Sequence, residues 1–194
     1  MEEASLYFAL VLAMLFLSTG WSKVRKMEEH VLIVKDYQIL PAAWAGIFAR
    51  AEVWVELLLG ALFAVGLYRT SAALVGAGLL VIYTLAIAIN LFRGRKEVSC
   101  GCGGAAGTHQ LSWWLVARNL LLICLCGYVA TIATAYGSLD SMLAGGAVGS
   151  SFGFGFWMMA VMAGLSLLAL SLGSELAVMR KQMGRLVKPI GRSL

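Results

Sequence analysis

Long apolar runs recur along the chain at a length that matches a lipid bilayer. A helix rises about 1.5 Å per residue, so about 20 apolar residues cross the hydrocarbon core. Such runs predict five transmembrane helices, approximately at residues 4–20, 42–67, 70–91, 111–133 and 152–173. Because the bilayer offers backbone groups no water, each span must be helical. The pattern predicts an all-α, polytopic membrane helix bundle that forms a single transmembrane domain over residues 1–194.

The segment after the first run has a different pattern. Apolar and charged residues are interspersed along residues 27–40, and Pro41 follows. This arrangement is typical of an amphipathic helix that lies in the membrane interface and stops near a proline. We expect His30, within this segment, to be solvated.

The composition excludes a soluble domain. Hydrophobic residues make up 61% of the chain and charged residues 13%, and the mean hydropathy is +0.86. Soluble domains contain about 45–50% apolar and about 25% charged residues. The net charge of +5 lies in clusters beside the spans, which favours a lipid bilayer and not a nucleic acid as partner. The acidic start, Met1-Glu2-Glu3, predicts that the first run is a retained span and not a cleaved signal peptide.

The basic residues predict an orientation. Twelve of the 15 Lys and Arg residues fall in three segments on one side: the first loop, the third loop and the C-terminal tail. Arg69 lies alone on the other side, and Arg50 and Arg118 lie inside spans. Because short basic loops stay in the cytoplasm, the predicted topology has the N-terminus outside and the C-terminus inside.

The third loop contains the sequence Cys100-Gly101-Cys102-Gly103-Gly104. Two thiols separated by one flexible residue can close a small disulfide, and basic neighbours favour the reactive thiolate. Two unpaired cysteines in a Gly-rich loop are one alternative. A metal site on Cys100, Cys102 and His109 is another, but it supplies three ligands where structural zinc takes four, so no metal is assigned.

Cys124 and Cys126 lie inside the fourth predicted span. Two residues along a helix correspond to about 200° around its axis, so their side chains cannot bond each other. Packing as small apolar side chains is the favoured interpretation. The alternative is that one of them relays a disulfide from the loop into the bilayer, towards a quinone or a partner thiol.

Several polar side chains fall inside the predicted spans, where charge is costly unless it is paired. They are Arg50, Glu52, Glu56, Asn90, Arg118 and Asn119. Glu52 and Glu56 are four residues apart and share a helix face. If the second and fourth spans pack together, Arg118 can meet Glu56. We favour a structural ion-pair cluster over a proton or substrate path.

Six short motifs occur in order along the chain. They are Ser18-Thr19-Gly20-Trp21-Ser22-Lys23, Tyr37-Gln38-Ile39-Leu40-Pro41, Glu56-Leu57-Leu58-Leu59-Gly60, Asn90-Leu91-Phe92-Arg93-Gly94-Arg95, Cys100-Gly101-Cys102-Gly103-Gly104 and Arg118-Asn119-Leu120-Leu121-Leu122. Over residues 10–125 the chain thereby resembles the methylamine utilisation protein MauE family, related to the DoxX-like membrane proteins. Gly104 departs from this pattern, in which an aromatic residue is expected after the Cys-Gly-Cys-Gly start.

The resemblance implies an accessory protein of the bacterial cytoplasmic (inner) membrane. Such a protein would work with a thioredoxin-like partner, MauD, in maturing the disulfide-rich small subunit of methylamine dehydrogenase. Cys100 and Cys102 would be the redox pair, which agrees with the interpretation of the loop. The charge pattern, however, puts this loop in the cytoplasm, whereas the implied substrate is periplasmic. Either the loop folds back and passes reducing equivalents across the membrane, or the charges mislead.

Three functions follow as hypotheses. The first is a thiol–disulfide oxidoreductase in which Cys100 exchanges with the partner and Cys102 resolves the mixed disulfide. The second is a non-enzymatic assembly subunit or scaffold, for which the 22 Gly residues suit close helix contacts. The third and least supported is small-solute transport through the region of Glu52, Glu56 and Arg118.

Overall fold

The computed structural model describes residues 1–101, 110–132, 137–143 and 152–187. They form the helices α1 (Glu2–Arg25), α2 (Met27–Asp36), α3 (Ala42–Val65), α4 (Arg69–Phe92), α5 (Trp113–Thr131), α6 (Leu139–Leu143) and α7 (Phe154–Val187). Across these described ranges, β-type pairing is confined to an isolated bridge between Ser99 and Gln110. The predicted all-α class is confirmed.

Four helices are long and apolar enough to cross a bilayer: α1, α4, α5 and the Phe154–Gly173 part of α7. The chain is therefore a multi-pass membrane protein. Helix α3 has 24 residues, as α1 and α4 do, but it carries Arg50, Glu52 and Glu56. Its crossing of the membrane as a fifth span stays a prediction.

The helices pack in a definite pattern. Helix α1 lies against α3 and α7, α4 lies against α5, and α2 lies against α3. In the core, the rings of Phe16 and Phe63 stack with centroids 6.1 Å apart. The outward faces carry large apolar side chains, such as Leu74 and Leu121, which suit contact with lipid chains.

Two glycines bring α1 and α3 into close approach. A Cβ atom on Gly60 would lie 2.7 Å from Leu17 Cγ, and one on Gly20 would lie 2.9 Å from Leu57 Cδ2. Each helix thus presents a glycine to a leucine of the other, as small residues do in tightly packed membrane helices. These glycine–leucine contacts fix how closely α1 and α3 approach each other at Lys23, one turn after Gly20 on α1.

The segment between α1 and α3 is helical as predicted, but it is shorter. Helix α2 ends at Asp36, and Gln38 has a left-handed backbone with φ of 50°. Pro41 is the N-cap residue of α3, because its fixed φ and missing N–H suit a helix start. Residues 37–40 therefore form a connection that turns the chain from α2 into α3.

Candidate functional site

Lys23 lies between two carboxylates inside the helix bundle. Its Nζ donates to Glu52 Oε1 at 2.6 Å and to Glu56 Oε1 at 2.8 Å. The lysine side chain is 6% exposed and the two glutamates are 4% and 3% exposed. Glu52 and Glu56 point the same way because they are four residues apart on α3. Lys23 meets them because it follows Gly20 by one turn of α1.

Tyr83 and His30 complete this group. Tyr83 OH on α4 donates to Glu56 Oε1 at 2.8 Å, and Lys23 Nζ lies 3.3 Å from the same hydroxyl. His30 Nε2 on α2 lies 3.2 Å from Glu52 Oε1, and the imidazole is buried. We call these five residues the Lys23 cluster: Lys23, His30, Glu52, Glu56 and Tyr83. It joins α1, α2, α3 and α4.

The Lys23 cluster contains more acid than base. One ammonium faces two carboxylates, and Glu56 Oε2 is buried without a hydrogen-bond partner among the residues that the structure describes. Neither ring nitrogen of His30 has a well-directed hydrogen bond in that part of the chain. A buried net charge is costly, so this acceptor-rich arrangement suits a further hydrogen-bond donor beside Glu56 Oε2.

The predicted polar cluster is therefore partly wrong in membership. Glu52 and Glu56 belong to it, but Arg50 is exposed on α3. The partner of Glu56 is Lys23 and not Arg118, because α5 packs against α4 and α1. The expectation that His30 is solvated is also wrong, since α2 packs against α3 and turns this side chain inward.

The remaining predicted polar residues lie elsewhere. Asn90 is fully buried near the end of α4, where its Nδ2 donates to Ala86 O at 3.1 Å. Arg95 Nη1 lies 3.4 Å from Asn90 Oδ1, which ties the following loop to the helix end. Asn119 is buried on α5. Asn90 thus stabilises the end of α4, whereas Asn119 Nδ2 is buried without a hydrogen-bond partner among the described residues. Neither side chain is part of the Lys23 cluster.

A cavity of about 340 Å³ opens beside the Lys23 cluster. Its polar lining comes from Lys23, His30, Glu52, Tyr37 and Tyr83, and the rest of its wall is largely aliphatic. The volume falls in the range of small-molecule sites, about 300–1,000 Å³. A mostly apolar cavity with a few convergent polar groups is the usual form of such a site.

Cys100 forms part of the cavity wall. It is 9% exposed and disulfide-bonded, and it packs with Ile87, Leu111 and Leu115. Cys102, His109 and the rest of residues 102–109 lie outside the described residues. Within the described ranges, the structure contains no group of three metal-ligating side chains.

Two contacts hold the backbone at Cys100. Tyr37 OH lies 3.4 Å from Cys100 O, to which it donates. Burial raises the pKa of the Tyr37 phenol above its usual range, and the Glu52 carboxylate raises it further, so the hydroxyl stays a donor. Gly101 has φ of 67°, and a Cβ there would lie 3.1 Å from Ile33 Cγ2. Glycine is thus required where the loop crosses α2.

Cys124 and Cys126 are free thiols on different faces of α5, the first exposed and the second buried. Cys126 packs in the main core with Leu12 and Val129. It lies about three turns, roughly 16 Å, along α5 from Leu115, which contacts the Cys100 region. The relay role stays a prediction, and a direct exchange between Cys100 and Cys126 would require a large movement of the loop.

The sequence did not place three residues in the site: Lys23, His30 and Tyr83. Lys23 was assigned to a basic loop, although it lies in the last turn of α1. Tyr83 gave no signal within a span of apolar residues. Glu52 and Glu56 were the available clue, because two carboxylates on one predicted span call for more positive charge than Arg118 alone supplies.

These features define a multi-pass membrane protein with a buried polar cluster beside a cavity and a disulfide-bonded cysteine. The chain belongs to the methylamine utilisation protein MauE family, whose model matches residues 1–134. The matched region includes the whole Lys23 cluster and Cys100.

Individual relatives agree with this assignment. The chain is 37% identical over 126 residues to the methylamine utilization protein MauE of Paracoccus denitrificans, covering 63% of this chain and 66% of the relative. It is 34% identical over 130 residues to that of Methylophilus methylotrophus, covering 66% of each. With that of Paracoccus versutus it shares 32% identity over 167 residues, 84% of this chain and 90% of the relative. No solved structure is significantly similar to the chain.

Proposed function

We propose that this protein serves methylamine utilisation as a membrane thiol–disulfide redox accessory protein. Its partner would be a thioredoxin-like protein, and its role the maturation of a disulfide-rich extracytoplasmic enzyme such as methylamine dehydrogenase. The family name supports the biological setting. The finer role is argued from the cysteine and its surroundings.

The observation that carries the proposal is the position of Cys100. Cys100 is disulfide-bonded and lies in the wall of a cavity that buried acid–base groups also line. The two other described cysteines, Cys124 and Cys126, are free, so we assign Cys102 as the redox partner of Cys100. A disulfide that only stabilised the fold would not need a cavity beside it.

The proposed exchange balances within the two proteins. A thiolate of the partner attacks the Cys100–Cys102 disulfide and forms a mixed disulfide at Cys100, while the Cys102 sulfur leaves as thiolate. The second partner thiol then attacks the mixed disulfide and releases Cys100. The partner dithiol loses two electrons and two protons, and Cys100 and Cys102 gain them. Arg93 and Arg95 in the same loop favour the thiolate forms.

Trapping of the mixed disulfide tests the proposal. In the Cys102→Ser variant, the Cys100 thiolate should attack the disulfide of an oxidised thioredoxin-like protein and release its second thiol. Blocking that thiol by alkylation after an acid quench should trap the mixed disulfide at Cys100, visible on non-reducing gels and by mass spectrometry. Cys124→Ser in the same background is the matched control and should leave the adduct intact. The Cys100→Ser variant should abolish it.

Methylamine dehydrogenase maturation gives the second readout. Replacing both Cys100 and Cys102 by Ser should prevent growth on methylamine and leave the enzyme's small subunit with free thiols. Normal growth and normal disulfides in this double variant would overturn the redox role. Binding of the partner that survived the same double substitution would then favour a scaffold.

A further inference from the structure

The cavity beside Cys100 has one wall that faces the lipid. Three of its aliphatic lining residues, Ile82, Leu85 and Ile89, are 49%, 57% and 38% exposed. All three lie on α4, which is long and apolar enough to cross the bilayer. The cavity is thus accessible from the hydrocarbon phase, and a ligand could enter it without crossing water.

The wall of the cavity at the Lys23 cluster is polar. Lys23, His30, Glu52 and Tyr83 all line the cavity, and they supply hydrogen-bond donors and acceptors within an otherwise apolar wall. A ligand that fits must therefore combine a polar headgroup with an apolar body. A purely aliphatic chain would leave these buried polar groups unmatched, which is costly.

Cys100 adds a chemical requirement. A disulfide that accepts two electrons in each exchange must be reoxidised before the next one. The cavity reaches both Cys100 and the lipid-facing residues of α4, so an oxidant from the bilayer can approach Cys100 through it. A lipid-soluble carrier of two electrons and two protons with a polar headgroup is a quinone.

We infer that the cavity binds a quinone from the bilayer, with its headgroup towards the Lys23 cluster, and that this quinone reoxidises the reduced Cys100 thiol pair. This inference rests on the proposed redox function. The two thiols lose two electrons and two protons as the sulfur–sulfur bond forms, and the quinone gains the same to become a quinol. The Lys23 cluster, with two carboxylates and one ammonium, can hold a proton in transit beside the headgroup.

The test uses the full-length protein in detergent, reduced and freed of reductant under anaerobic conditions, with decylubiquinone as probe. The expected result is one equivalent of quinol per protein, followed by ultraviolet absorbance, and reoxidation of Cys100. The Cys100→Ser variant retains Cys124 and Cys126 and therefore corrects for their thiols. It should form no quinol.

Two substitutions at neighbouring positions of α4 test whether the quinone reacts in this cavity. Ile82 lines the cavity, whereas the adjacent Val81 does not, although it is similarly exposed at 41%. The Ile82→Trp variant should reduce decylubiquinone about tenfold more slowly, equivalent to about 1.4 kcal/mol, and Val81→Trp should match the wild type. Both sites face lipid, so both variants should fold. Equal rates in the two variants would overturn the cavity assignment.

A second measurement separates this inference from the proposed function. Exchange of the Cys100 disulfide with a thioredoxin dithiol is followed without quinone, and decylubiquinone binding is followed by quenching of tryptophan fluorescence. Intact exchange without quinone binding or reduction would overturn the quinone site and leave the redox function standing. Quinone binding that is lost in Ile82→Trp, in a protein without thiol exchange, would support the site and contradict the proposed function.

Discussion

Lys23 Nζ lies 2.6 Å from Glu52 Oε1, although 29 residues of chain separate the two side chains. The pair is buried, and Glu56 shares the same ammonium. Removing one partner of a buried ion pair leaves the other charge uncompensated, which usually costs about 3–5 kcal/mol. The contact between α1 and α3 therefore depends on this lysine.

The Lys23→Met variant should lower the free energy of unfolding by about 3–5 kcal/mol, because two buried carboxylates lose their cation. Thermal unfolding in detergent, followed by circular dichroism, measures the effect. Lys26→Met is the control: its pair with Glu29 is exposed and should contribute less than about 1 kcal/mol. Equal stability of the two variants would contradict the buried-pair assignment.

Tyr83→Phe should destabilise the Lys23 cluster more mildly. The substitution removes the hydroxyl that donates to Glu56 and leaves the ring in place, so a loss of about 1.5–3 kcal/mol is expected for a hydrogen bond to a charged group. Tyr128→Phe is a suitable control, since the Tyr128 hydroxyl makes only a 3.4 Å contact in an exposed setting. Unfolding midpoints that do not differ between the two variants would argue against the hydrogen bond.

Gly60→Ala should push α1 and α3 apart, because the new Cβ would meet Leu17 backbone nitrogen at 3.0 Å as well as its side chain. We expect lower thermal stability and weaker partner trapping by Cys102→Ser in the same chain. Gly78→Ala provides the comparison: a Cβ there meets nothing within 4 Å, and alanine is the better helix former by about 1 kcal/mol. Gly78→Ala should thus be neutral or stabilising.

Gly101→Ala should change the reactivity of Cys100. Alanine in a left-handed conformation costs about 1–2 kcal/mol, and its Cβ would also press on Ile33. Gly94 has a similar φ of 75° but open space around it, so Gly94→Ala carries only the conformational cost. The rate of disulfide reduction at Cys100 by dithiothreitol should rise in Gly101→Ala and change little in Gly94→Ala.

The side of the membrane on which Cys100 lies can be tested by labelling in intact cells. Cys100 is itself disulfide-bonded, so exposed Lys96→Cys is the better target, in a Cys124→Ser background. The charge pattern predicts a cytoplasmic loop, so a membrane-impermeant maleimide should label Lys96→Cys only after permeabilisation. Leu143→Cys, on α6 beyond α5, should label without it. The reverse result would invert the predicted topology.

The helices were readable from the sequence because each long apolar run has one physical solution in lipid. Their pairing was not. Hydropathy identifies α3 and α5 as helices but does not show which helix packs against α3. Glu56 on α3 was therefore paired with Arg118 on α5, whereas its partner is Lys23 on α1. Lys23 was missed for a related reason: a basic residue at the end of a span has the same sequence pattern whether it faces water or a buried carboxylate.

The cysteine part of the candidate site was predictable from the sequence, whereas the cavity was not. Cys100 was identified from its spacing to Cys102 and its Gly-rich surroundings, which are local properties. The cavity depends on α2 folding back over α3 and on the turn at Gln38, and these are long-range arrangements. His30 illustrates the difference, because an amphipathic pattern shows that a helix has two faces but not which neighbour covers one of them.

The ion pair between α1 and α3 also has a consequence for biosynthesis. As the chain leaves the ribosome, α1 emerges before α3, and the Lys23 ammonium lacks the carboxylates of α3 until that helix follows. Helix α3 alone carries two carboxylates and is equally ill-suited to lipid. The two helices should therefore settle into the membrane as a pair, and the charges that build the site also set the order of its assembly.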